Sequence, residues 1–134
     1  MSLDIQRTEK EGITILNLKG RITVGPEATV LREQVHELAA AKKLRIILNL
    51  AEVDYIDSTG LGALVMAATT LKKVDGVAKL LNLSKRTIEL LVMTKLATIF
   101  EIFGDEQHAV NSFFPDREIK HFDILSFVQS SKKA

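Results

Sequence analysis

The sequence contains no cysteine. Disulfides, thiolate catalysis and cysteine-held metal sites are therefore excluded. It also lacks an excess of either charge: 18 basic and 17 acidic residues leave a net charge of +1. With basic and acidic residues interleaved, nothing attracts a nucleic acid or other polyanion through bulk electrostatics. Long hydrophobic runs are missing too. The most apolar stretch, Leu61 to Ala68, is too short to span a bilayer. The first seven residues, Met1 to Arg7, show no basic segment followed by an apolar one, so they do not read as a signal peptide. The expectation is a cytoplasmic protein with no membrane or direct nucleic-acid partner. The three histidines, His36, His108 and His121, are scattered and none pairs at zinc-site spacing. There is no Gly-x-x-x-x-Gly-Lys-Ser/Thr segment for a nucleotide phosphate. The nucleophile pattern Gly-x-Ser-x-Gly is absent as well, since Asp57 and Thr59 flank Ser58.

What is present suits one compact domain. The 134 residues are 46% apolar and 26% charged, enough to bury a core without staples. Leu3 to Thr8 reads as a strand, Glu9 to Gly12 as a turn and Ile13 to Lys19 as its hairpin partner. Gly20 to Gly25 reads as an irregular crossing. Pro26-Glu27 suits a first helical turn, where proline costs nothing and an acid meets the positive dipole end. Leu31, Val35 and Leu38 then form one apolar stripe, with Arg32, Glu33, Glu37 and Lys42 on the wet side. Arg45 to Leu50 has the continuous apolar character of a central parallel strand. Ala51 to Asp57 reads as a loop, and a helix follows from Ser58 to Lys73. That helix is apolar nearly all round, which predicts cover on several sides. Ala78 to Leu83 reads as a strand, Ser84 caps a helix with a stripe of Ile88, Leu91, Val92 and Leu96, and Ile99 to Phe103 is a short strand. Asp105 to Phe113 forms a last helix. The order β-β-α-β-α-β-α-β-α predicts an α/β fold with a small, mixed but mostly parallel sheet and four helices as its cover.

The tail after Phe114-Pro115 carries Ile119, Phe122, Ile124, Leu125, Phe127 and Val128. It is too apolar for a disordered end. Residues 114–134 thus form an extension to a domain over residues 1–113, which either docks on that domain or pairs with a second copy as a homodimer. Lys132-Lys133 reads as a solvated end.

The chemistry-bearing residues gather at the second helix: Asp54, Asp57, Ser58, Thr59, Gly60, Leu61 and Gly62. Gly60 to Val65 has a partial likeness to a dinucleotide fingerprint, but Val65 stands where the last glycine belongs and the glycines already lie inside the helix. Two readings of the motif remain open. Asp57 and Ser58 are favoured cap residues, whose oxygens satisfy the free N–H groups of a first turn. The same helix start also attracts anions, and a phosphate on Ser58 would add a charge of about −1.5 to −2 there. Asp54 or Asp57 as an acid/base group lacks a second catalytic residue, so an enzyme is not expected. No cofactor is implied.

Val53 to Gly62 resembles the signature of the STAS domain, as found in bacterial anti-sigma factor antagonists. Leu31 to Val35, Ile46 to Leu50 and Asp75-Gly76 extend the likeness over Leu3 to Phe113. The resemblance implies a central sheet with helices mainly on one side. It implies that Ser58 is phosphorylated by an ATP-dependent anti-sigma factor serine kinase and restored by a PP2C-type phosphatase. The unphosphorylated form would hold the kinase and release a sigma factor. Asp57 would position the hydroxyl, with Thr59 as a neighbouring hydroxyl. Asp54, Asp57, Thr59, Gly60, Leu61, Gly62 and Thr23 would contact the partner. A non-phosphorylated STAS subunit of a signalling or lipid-transport complex is the alternative.

Overall fold

The computed structural model describes residues 3–23 and 25–127, the side chains of Pro26, Glu27 and Ala28 apart. Strands β1 (Leu3–Lys10) and β2 (Ile13–Ile22) form the hairpin. Its two-residue turn, Glu11-Gly12, has φ of 54° and 81°, the doubly left-handed geometry that matches the twist of adjoining strands. Helix α1 (Pro26–Ala40) opens with proline in its first turn, after Gly25 at φ 104°, a backbone shape glycine adopts without strain. The dipole role expected of Glu27, and the tail positions Val128, Lys132 and Lys133, lie outside the described residues. Strand β3 (Arg45–Ile56), helix α2 (Ser58–Lys72), strand β4 (Val77–Leu81) and helix α3 (Lys85–Met93) follow. A 3₁₀ turn (Leu96–Thr98), a two-residue strand β5 (Ile102–Phe103) and helix α4 (Glu106–Asn111) complete the order.

The sheet runs β1-β2-β3-β4-β5. Only β1 is antiparallel to its neighbour. The pairs β2–β3, β3–β4 and β4–β5 are parallel, as their helical crossovers require. One face is buried by the stripes of the first three helices. Leu31, Val35 and Leu38 of α1, Leu61, Leu64 and Leu71 of α2, and Leu91 of α3 pack on Leu16, Leu18, Ile46, Leu48 and Leu80. The other face is shorter on cover: α4 sets Ala109 and Val110 on Ile13, Ile15, Ile47, Leu81 and Phe103, and Phe113 and Phe114 just beyond it pack against the same cluster. Helices α1, α2 and α3 therefore share one side, and α4 lies on the other. Beyond α4 the second face turns polar, where Asn49 donates to Asn17 at 2.8 Å.

Several local expectations need correction. The strand expected from Ile99 forms only at Ile102, and Leu96, expected on the stripe of α3, lies in the 3₁₀ turn after that helix has ended at Met93. Residues 51–56, read as loop, continue β3. They pair with β2 through two register shifts, and these bulges hide the regular alternation by which a strand is recognised. Residues 20–22, read as part of an irregular crossing, are the matching end of β2. Helix α2 is also not covered all round: Met66 is 52% exposed, and only Gly60, Leu61, Ala63, Leu64, Ala67 and Leu71 are buried.

The segment after Pro115 lies along its own domain. Phe122 donates its N–H to Ile102 of β5 at 2.8 Å, and Phe122 and Ile124 pack against the main core. Arg117 pairs with Glu11 at 2.6 Å across the hairpin turn and stacks on Phe114, 4.1 Å from the ring centroid. His121 stacks on Phe103 at 4.7 Å and bonds Glu101 at 2.9 Å. Glu101 in turn meets Lys79 of β4 at 2.8 Å, a lysine only 6% exposed that also donates to the carbonyl and hydroxyl of Ser112 and lies over the Phe113 ring at 4.3 Å.

Candidate functional site

Strand β3 is longer than its neighbour β4. The β3–β4 register ends at Asn49–Leu81, whereas β3 continues to Ile56 beside β2. The motif sits at the carboxyl end of this overhang, where open parallel sheets place their binding sites.

Two devices shape the overhang. Between the pairs Gly20–Val53 and Arg21–Tyr55, Asp54 is the extra residue of a bulge. Such insertions re-aim a side chain and increase the local twist. Asp54 is exposed, and no hydrogen bond or ion pair joins it to the rest of the motif among the described residues. Beside it, the guanidinium of Arg21 lies over the half-exposed ring of Tyr55, 5.3 Å from the centroid, within cation–π range.

Asp57 then ends the strand and caps the helix. Its backbone is extended, with φ −108° and ψ −173°, and its Oδ1 accepts the N–H of Gly60 at 2.8 Å. Its carbonyl accepts from Leu61 at 2.9 Å, which starts the helical ladder. Its own N–H donates to Ile22 of β2 at 3.4 Å. Asp57 is therefore the cap predicted from the sequence. Ser58 and Thr59, the first two helical residues, are both exposed, and neither makes a side-chain hydrogen bond among the described residues. Asp57 takes the capping role, which leaves the Ser58 hydroxyl uncommitted.

The two glycines have opposite reasons to exist. A Cβ on Gly60 would lie 1.9 Å from the carbonyl oxygen of Ile22 and 2.7 Å from Ile56 Cγ1. No side chain fits there, because α2 crosses directly over the end of β2. A Cβ on Gly62 would meet nothing within 4 Å. A glycine inside a helix costs about 0.5–1 kcal/mol relative to alanine. At Gly60 a close crossing offsets this cost, while among the described residues nothing offsets it at Gly62.

Of the other residues singled out, Leu61 is 2% exposed and belongs to the core. Thr23 directly follows the Ile22 carbonyl and is half-buried, on the rim of the motif. Asp54, Thr23, Ser58, Thr59 and Gly62 thus lie on or beside an accessible surface, Asp57 and Gly60 build it, and Leu61 anchors it from below. Sequence reasoning missed the Arg21–Tyr55 pair, which exists only through the bulged register. It also missed a shallow groove of about 330 Å³ between α1 and α2, lined by Thr29, Arg32, Thr59, Gly62 and Met66 among others. The exposure of Met66 was open to inference, because it lies two helical steps of four residues beyond Ser58. Among the described residues no group of His, Asp and Glu could hold a metal ion, and no helix is long and apolar enough to cross a membrane.

Comparison with known proteins bears on the family and the fold. An anti-sigma-B factor antagonist of Bacillus subtilis is 38% identical over 111 residues, spanning 82% of this chain and 99% of that protein. A Listeria monocytogenes protein of the same description is 39% identical over 69 residues, covering 52% of this chain and 59% of its own length. Among solved structures, an anti-sigma factor antagonist from Mycobacterium paratuberculosis superimposes with a TM-score of 0.70 at 17% identity, over 82% of this chain and 92% of that one. The antagonist SpoIIAA in its unphosphorylated form gives a TM-score of 0.63 at 19% identity, over 82% and 97%. At these identities the structures speak for the fold alone. Residues 4–109 match the STAS domain, and with the fold and the motif described above the chain belongs to the STAS domain family.

Proposed function

We propose that this chain is an anti-sigma factor antagonist: a binding protein, not an enzyme, that holds an anti-sigma factor serine kinase and so releases a sigma factor. Phosphorylation of Ser58 by that kinase, with ATP, ends the complex, and a PP2C-type phosphatase restores it. The protein works in the cytoplasm. The observation that carries the reading is the exposed Ser58 hydroxyl, the first residue of α2, left free because Asp57 supplies the cap. The Bacillus subtilis relative, matched over nearly its whole length and described as an anti-sigma-B factor antagonist, supports it.

The physics of the site suits a switch. The positive end of α2 tolerates an anion on Ser58 within the free chain, so modification need not unfold the domain. In a docked interface the same dianion, beside the carboxylate of Asp57, costs desolvation and like-charge repulsion. About 3 kcal/mol of such cost weakens binding roughly a hundredfold. Asp54, Thr23, Thr59 and Gly62 would frame the contact, and Leu61 and Gly60 would hold its shape.

Incubation with ATP and an anti-sigma factor serine kinase from the same organism is expected to place one phosphate on Ser58. Equal labelling of Ser58→Ala would overturn the site. Ser58→Asp is expected to weaken kinase binding by calorimetry, and an affinity equal to wild type would overturn the switch.

A further inference from the structure

The unneeded glycine of α2 points outward along the face that carries Ser58. Residues four apart share a helix face, about 6 Å apart along the axis. Ser58, Gly62 and Met66 are such a series, and all three are exposed. Across the groove from Gly62 stand Thr29 and Arg32 of α1, and Arg32 makes no ion pair among the described residues. A protein that reaches Ser58 must cover more than its hydroxyl. A footprint of about 800 Å² per partner has a radius of roughly 16 Å, so one centred on Ser58 includes Gly62 and Met66. Met66, 52% exposed, supplies a pliable apolar contact at the far end.

We propose that Gly62 determines the fit of the Ser58 kinase, by letting the kinase approach the bare backbone of α2 one turn below the phosphoacceptor. The inference rests on the Ser58 reading and deepens it. Gly60 is explained by the chain's own crossing of Ile22, but among the described residues no atom outside the helix's own neighbouring backbone approaches the Gly62 Cβ position. The glycine therefore weakens the free helix with no gain in the free protein. Its return comes in the complex, where the absent side chain lets two surfaces close by about the length of one carbon–carbon bond, ~1.5 Å. A methyl at this position would separate them by that distance, inside a contact whose packing matches a protein interior.

The test is Gly62→Ala in the full-length chain, with thermal melting and calorimetry against the serine kinase. Melting should rise by about 2–4 °C, because alanine favours the helix and meets nothing. The dissociation constant should increase at least tenfold. A purely structural role cannot give a more stable protein that binds worse. Unchanged affinity beside a raised melting temperature overturns the inference and leaves the Ser58 reading standing. A lowered melting temperature also overturns it, by showing that the chain needs this glycine for itself. If wild type neither binds the kinase nor is phosphorylated, the Ser58 reading fails and the inference fails with it.

Discussion

Gly60 of α2 rests on the carbonyl oxygen of Ile22, the last residue of β2, so closely that a β-carbon would sit 1.9 Å from it. The same carbonyl accepts the N–H of Asp57 at 3.4 Å. One backbone oxygen thereby locates the helix start, its cap and the end of the β2–β3 overhang. The position of Ser58 follows from this crossing.

Gly60→Ala should accordingly damage the fold. The obstacle is backbone with no flexible side chain to move aside, so the loss belongs at or above the usual range for overpacking, about 3 kcal/mol. Urea unfolding measures it. A midpoint close to wild type would show that α2 can shift off β2 without cost, and that the crossing does not locate the site.

Asp57 combines a cap with a charge, and two substitutions separate them. Asp57→Ala removes the acceptor for the Gly60 N–H and should cost about 1 kcal/mol. Asp57→Asn keeps an acceptor oxygen and should stay within about 0.5 kcal/mol of wild type. If the carboxylate also orients Ser58 for phosphorylation, Asp57→Asn will slow phosphate incorporation despite its stability. Equal rates for Asp57→Asn and wild type would confine Asp57 to capping.

The Lys79–Glu101–His121 cluster predicts a dependence on acid. Burial raises the pKa of Glu101, but hydrogen bonds from His121 and Lys79 outweigh it and hold the carboxyl below its ordinary value. A carboxylate with a depressed folded pKa adds stability above its unfolded pKa and loses it as pH falls through the folded value. Glu101→Gln should therefore lower stability at pH 7 by about 1 kcal/mol, a modest figure because Glu101 is half-exposed and screened by solvent. The difference between wild type and variant should begin to shrink as pH falls through the ordinary carboxylate range and vanish only below the depressed folded value. A difference that does not narrow at all with acid would mean that shape, rather than charge, matters at residue 101.

Truncation after Pro115 removes Phe122 and Ile124 from the main core and uncovers β5. Partial burial of two such side chains is worth about 2–3 kcal/mol, so melting should fall by several degrees. An unchanged melting temperature, with an unchanged sedimentation profile, would show that the docked segment contributes nothing to this domain.

The sequence by itself determined the element order, the burial of Leu31, Val35 and Leu38, the caps at Asp57 and Ser84, and the place where chemistry concentrates. These rest on short-range rules: helical periodicity, cap chemistry and turn residues act within a few positions of the chain. Tertiary structure alone decided the rest. The bulges that carry β3 to Ile56 and set Asp54 outward depend on the β2–β3 register, which brings together residues more than thirty positions apart. The separate duties of Gly60 and Gly62 could not be told from two identical letters, because the difference lies in the Ile22 carbonyl beneath one and open space above the other. The motif Asp57-Ser58-Thr59-Gly60-Leu61-Gly62 marks where we propose that a partner binds. The crossing of α2 over β2 decides which of those residues support the surface and which present it.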